Sequence, residues 1–217
     1  VTLSAYRIGK YEVTTGEYWE CVKAGACNNN EDDKPHFWMN NYRSFCNLGA
    51  EGRKKYPMNC VSWNGAKAYC EWAKKRLPTE AEWEKAARGT DGRIYPWGNE
   101  YPTCEYAIMY NKETDSDGCG KNSAWVVGSR EKGKSPYGAY DMAGNIFEWV
   151  NDWYAEDYYK NSPSENPNGP ESGDFRVLRG GVWFNGNSHS LRTSTRIPSY
   201  LNLPDLIDNL NGFRCAE

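Results

Sequence analysis

The chain has 217 residues and a formal charge of −3, from 26 Lys and Arg against 29 Asp and Glu. Its 39% apolar and 15% aromatic content excludes a disordered segment. No apolar run approaches a membrane span, and the interspersed charges exclude a basic nucleic-acid footprint.

In chain order, the first predicted element is a helix opened by Thr14-Thr15-Gly16-Glu17, a capping box ahead of Tyr18, Trp19 and Val22. Ser62 is placed to cap a second helix carrying Ala66, Tyr69, Cys70 and Trp72 at helical spacing. Thr79-Glu80-Ala81-Glu82 repeats the capping box for a third, stopping near Gly89. The charged first turn of that helix accounts for Glu80 and Glu82 without acid–base chemistry. Beyond Gly89, turn residues interrupt every few positions. Only Ala124–Val127, Ile146–Val150, Val177–Leu178 and Val182–Phe184 read as strands. Residues 161–173 form a Pro/Gly/Asn/Ser-rich loop inside one continuous domain, 1–217, of the α+β class. Eight cysteines predict an oxidising compartment and disulfides, hence an extracellular or cell-surface protein. Val1 opens the chain without a charged or apolar leader, so no signal peptide is expected within it, and an upstream lipid anchor stays open.

Five blocks carry a family resemblance: residues 57–89, YPWGNE (95–100), YGAYDMAGNIFEWVNDW (137–153), RVLRGGVW (176–183) and NGFRCAE (211–217). Their order and spacing resemble the formylglycine-generating-enzyme, or sulfatase-modifying-factor, family. That resemblance implies a C-type lectin-like fold with sparse secondary structure, stapled by disulfides. The family enzyme oxidises a substrate cysteine with a cysteine pair shortly after the RGG motif, because thiolates bind the soft copper ion. The matching positions here are Asn185 and Ser190, and no cysteine lies between Cys119 and Cys215. The iron-dependent relatives need a histidine cluster, and this chain has only His36 and His189. Neither copper nor iron is therefore expected, and the chain is read as non-enzymatic.

The segment in that place, 184–211, contains no Lys, Glu, Met or Trp, whereas the other 189 residues contain 46 of them. It also holds five of the nine leucines. The residue types present are reachable from an Asn codon by altering its two adenines; the missing four are not. This resembles the variable region of proteins diversified by retroelements, some of which carry the same lectin-like fold. The resemblance implies scaffold positions at Trp183, Leu191, Arg192, Arg196, Gly212, Phe213 and Arg214. It implies ligand-contacting positions at Phe184, Asn185, Asn187, His189, Ile197, Ser199, Tyr200, Asn202, Asp205, Leu206, Asp208 and Asn209. Tyr, Asn, Ser, His and Asp suit adaptable polar contacts. The expected partner is a protein or other macromolecule, with no nucleic acid and the domain a monomer. The alternatives are a diverged enzyme, a structural surface module, or an ordinary polar loop.

The family resemblance also implies structural calcium, held by hard oxygen ligands. The first site maps to the Glu148 carboxylate with the carbonyls of Ala143, Gly144 and Ile146, and the second to Asp117 with the carbonyl of Cys119. Its disulfide pattern implies Cys70–Cys215. Proximity adds Cys104–Cys119, and Cys27–Cys46 and Cys21–Cys60 are the remaining pairings expected.

Overall fold

The computed structural model of the chain describes residues 1–28, 46–199 and 209–217, with the backbone of two short strands at 34–35 and 206–207. The three helices start where their caps require. In α1 (Thr15–Lys23) and α3 (Glu80–Arg88), a threonine hydroxyl accepts from the third helical N–H while that residue's glutamate reaches back. In α2 (Trp63–Trp72), the Ser62 hydroxyl accepts from Gly65 at 3.1 Å. Gly89, at φ +69°, ends α3 as its position predicts.

Six short strands follow: β1 (Lys34–Pro35), β2 (Phe147–Trp153), β3 (Arg176–Arg179), β4 (Ile197–Pro198), β5 (Leu206–Ile207) and β6 (Asn211–Phe213). Four form one sheet in the order β4-β3-β2-β6, with β2 and β6 parallel and the other pairs antiparallel. β1 pairs with β5. Two expected strands do not form. Around Ala124–Val127 the backbone bonds instead to the Asn145 side chain and the Lys55 carbonyl. At Val182–Phe184, Gly180 and Gly181 (φ +93° and +81°) turn the chain out of the sheet first.

The period-two alternation of β2 and β3 divides the core in two. Trp149, Leu178 and Phe213 pack under α1 and α2 with Tyr18, Ala66 and Tyr69. Val150 and Val177 face the opposite way, against Trp83, Ala86 and Ala87 of α3. The indoles are tied down as well: Trp149 donates to the Val61 carbonyl at 2.9 Å and Trp63 to the Val150 carbonyl at 2.8 Å.

All eight cysteines are paired. Cys70–Cys215 and Cys104–Cys119 are as expected. The other two pairs differ: Cys21 joins Cys27 and Cys46 joins Cys60, rather than Cys27–Cys46 and Cys21–Cys60. The cause is local. The chain reverses at Gly25 (φ +70°) directly after α1, where the Ala26 N–H reaches the Cys21 carbonyl. Asn47 bonds to the Asn59 side chain and the Pro57 carbonyl, closing the 46–60 loop on itself. Among the described residues no helix is long and apolar enough to cross a membrane.

Cys70–Cys215 spans 145 residues and fixes β6 and the chain end to α2. Replacing both cysteines by alanine should lower unfolding stability by about 2–5 kcal/mol in urea denaturation at neutral pH. An unchanged midpoint would remove this bond from the scaffold's support.

Candidate ligand-binding surface

The segment after β3 begins as a tight turn. A Cβ on Gly181 would lie 2.8 Å from both the Leu191 side chain and the Ser190 carbonyl, so only glycine fits. Asn185 builds the turn: its Oδ1 accepts from the Val182 N–H at 2.8 Å and its own N–H donates to the Val182 carbonyl at 2.9 Å. Its carbonyl accepts from the Tyr110 N–H. Trp183 is held by the Asn145 carbonyl and the Gly118 N–H. Beyond these anchors Phe184 is 39% exposed, and Asn187 and His189 are exposed too. The Asn187 side chain accepts from the His189 N–H at 2.9 Å, shaping the loop that Leu191 secures beneath.

From 193 onward the segment is clamped. Glu80, 1% exposed, receives two arginines: Arg196 bidentately at 2.7 and 2.8 Å, and Arg179 at 3.0 Å. Arg179 also reaches Glu84 at 2.8 Å, and Arg196 the Ala155 carbonyl at 3.0 Å. The Arg196 guanidinium lies 5.0 Å from the rings of both Tyr154 and Tyr159. Ile197 is half-buried in β4. Ser199 is buried, its hydroxyl accepting from the Arg176 N–H at 3.0 Å.

The structure thus sorts the expected ligand-contacting residues. Phe184, Asn187 and His189 share one exposed loop. Ser199 and Asn209 are buried, and Asn185 and Ile197 are half-buried. Asn59 donates to the Asn209 backbone carbonyl at 2.7 Å. Asn185 and Ser199 spend polar groups inside the fold, and Ile197 packs against the core. Tyr200, Asn202, Asp205 and Asp208 lie outside the described residues, and Leu206 is described only as strand backbone. Residues outside the segment join the surface: Tyr95 donates to the Ser188 carbonyl at 3.4 Å, and Gly186 packs on the Tyr110 ring.

The expected calcium ligands separate in the same way. The fully buried Glu148 carboxylate accepts from Arg214 at 2.6 and 2.7 Å and from the Trp83 indole at 2.8 Å. Three of its roughly four lone pairs are used, and a cation there would meet a buried guanidinium. Glu148 therefore does not fit the ligand role expected beside the carbonyls of Ala143, Gly144 and Ile146. Asp117 and Cys119 do share one turn, Asp117–Gly120, whose Gly118 and Cys119 adopt φ of +55° and +53°. Among the described residues no group of three or more His, Cys, Asp or Glu side chains is arranged to hold a metal.

Two outcomes follow from the clamp. Arg196→Ala leaves Glu80 with half its countercharge and should cost about 3 kcal/mol, read by chemical denaturation. Asp152, buried beneath the Glu80 N–H at 2.7 Å, has its carboxyl pushed by burial from 3.8 up to about 7. A raised folded-state value favours the protonated form, so this stabilisation is complete below pH 4 and is lost as pH rises through 7. Asp152→Asn keeps the acceptor for Glu80, so its Tm should fall less than the parent's between pH 4 and 7. Parallel curves would refute the assignment.

The comparisons with known proteins agree with this architecture. The model of the sulfatase-modifying factor enzyme 1-like domain matches residues 1–217. The formylglycine-generating enzyme of Streptomyces coelicolor is 42% identical over 174 residues, covering 76% of this chain and 54% of that protein. The inactive C-alpha-formylglycine-generating enzyme 2 of Bos taurus is 36% identical over 177 residues, covering 78% and 52%. The chain thus spans about half the length of these curated relatives. Treponema denticola variable protein 1 superposes with a TM-score of 0.73 at 26% identity, covering all of this chain and 85% of that one. The chain belongs to the sulfatase-modifying factor enzyme 1-like family.

Proposed function

We propose that this domain is a non-enzymatic ligand-binding module, secreted or displayed at a cell surface, that presents residues 184–211 to a macromolecular partner. The observation that carries the reading is the state of the cysteines. All eight are in disulfides, and the two positions matching the family's oxidase pair are Asn185 and Ser190. Asn185 is committed to the turn, and neither side chain is a soft copper ligand. The resemblance to a variable protein supports a division between rigid scaffold and varied loop. The codon-restricted composition of 184–211 supports diversification of that segment by a retroelement. Calcium stays in the proposal only at the second turn, through the Asp117 carboxylate and the Cys119 carbonyl.

A second reading, a diverged oxidase, is favoured by the 42% identity to a formylglycine-generating enzyme. Inactive relatives reach 36%, so identity of this order does not separate the two.

The decisive measurement is a library randomised at 184, 187, 189 and 200–208, displayed and selected against an arbitrary folded protein. Binders should emerge, with stabilities within about 1 kcal/mol of the parent where only the exposed positions 184, 187 and 189 differ. In parallel, the copper-reconstituted protein should neither consume oxygen nor form an aldehyde on a cysteine peptide. A library without binders, or an aldehyde product, would overturn the proposal.

A further inference from the structure

Beside the exposed loop lies a pocket of about 420 Å³ lined by Tyr101, Pro102, Glu105, Met109, Tyr110 and Glu113. It belongs to the same surface as the segment, because the Tyr110 ring carries Gly186 and the Tyr110 N–H donates to the Asn185 carbonyl. Resting on the ligand-binding reading above, we infer that this pocket takes a cationic side chain, lysine or arginine, of the macromolecule that the 184–189 loop contacts.

Three observations converge on a cation. The first is charge. Residues 101–117 contain Glu105, Glu113, Asp115 and Asp117 against Lys112 alone, a net of −3 that equals the net charge of the whole chain. A positively charged group entering here meets a locally negative surface. The second is shape and chemistry. Tyrosine rings attract cations, the Glu105 and Glu113 carboxylates form charge-assisted hydrogen bonds, and the apolar Pro102 and Met109 accept the methylene stem. The third is that the chain itself places a cation at the hydroxyl edge of one of these rings. The Lys112 ammonium lies 5.6 Å from the centroid of the Tyr101 ring and donates to its hydroxyl at 3.0 Å.

Lys112 is exposed, and Tyr101 is 56% exposed, so the lysine can swing away at small cost. Glu105 is engaged by Lys132 at 3.1 Å, but both side chains are 63% exposed, and such surface pairs open readily. The Tyr110 hydroxyl donates to Asp115, which orients that ring at the pocket edge. The pocket lies in the constant part of the chain. It therefore supplies a fixed contact, while Phe184, Asn187 and His189 supply the variable ones.

The test uses the full chain with acetyl-Gly-Arg-Gly-amide and its citrulline counterpart, a neutral near-isostere, followed through the ring signals of Tyr101 and Tyr110 by NMR. The arginine peptide should move both signals saturably, and the citrulline peptide should bind about tenfold more weakly. The double variant Glu105→Gln/Glu113→Gln should weaken the arginine peptide about tenfold. Lys112→Ala should strengthen it, because a competing cation is gone. Equal affinity for the two peptides, weaker binding by Lys112→Ala, or motionless ring signals would each overturn the inference. These side chains are exposed, so the variants remain folded. Peptide binding without selectable library variants would retain the pocket and remove the reading of the segment; the reverse would remove the pocket alone.

Discussion

The Arg214 guanidinium lies fully buried against the Glu148 carboxylate, and the placement of the chain's end depends on that pair. A buried ion pair is tolerable only when its remaining donors are satisfied. Here they are: Arg214 donates to Glu148 through Nε and Nη2, to the Gly9 carbonyl at 2.9 Å and to the Tyr140 carbonyl at 2.8 Å, while the Trp83 indole completes Glu148. Five separate parts of the chain meet at one charge pair. Glu12 and Asp141 are buried nearby, and burial together with Asp141 pushes the Glu12 carboxyl well above the usual carboxylate range. The acid-rich surroundings hold the arginine in place and leave it no other site.

That centre explains how a domain with so little regular structure keeps a defined surface. β2 and β6 run parallel, side by side, with Glu148 opposite Gly212, and the glycine is required because a Cβ there would come within 2.3 Å of the Ile146 side chain and the Met58 carbonyl. The Cys70–Cys215 bond lies one residue beyond Arg214. At the other end of the segment, the Arg179–Glu80–Arg196 cluster ties the chain to α3. The 184–189 loop lies between Arg179 and Arg196, both held by the buried Glu80, so its ends are fixed independently of the exposed Phe184 and His189 side chains. A loop supported in this way can change its outward residues without changing its path.

Much of the scaffold was legible in the residues. The capping boxes at Thr14 and Thr79 act within four positions, so they do not depend on the rest of the chain, and both helices start there. The strand expected at Ile146–Val150 forms as Phe147–Trp153, whereas the Gly180-Gly181 turn after Arg179 replaces the strand expected at Val182–Phe184. Other features were not legible. Ala124–Val127 has strand composition, yet its N–H groups are taken by Asn145 and Lys55, partners 20 or more residues away. Glu80 looked like an ordinary first-turn acid, because nothing in the sequence announces that two arginines about a hundred residues later converge on it.

The sequence by itself determined the family, the helix boundaries, the loss of the oxidase cysteines and the biased composition of 184–211. These are matters of residue identity and short-range spacing. Only the tertiary structure decided which residues of that segment face outward. Asn185, Ser199 and Asn209 have the same polar character as Asn187 and His189, but a turn and a strand edge use the first two inside and Asn209 is buried. Which polar residues meet solvent is decided by burial, and Ser199 and Asn209 are covered by partners 23 and 150 residues away in the chain, beyond the reach of local pattern.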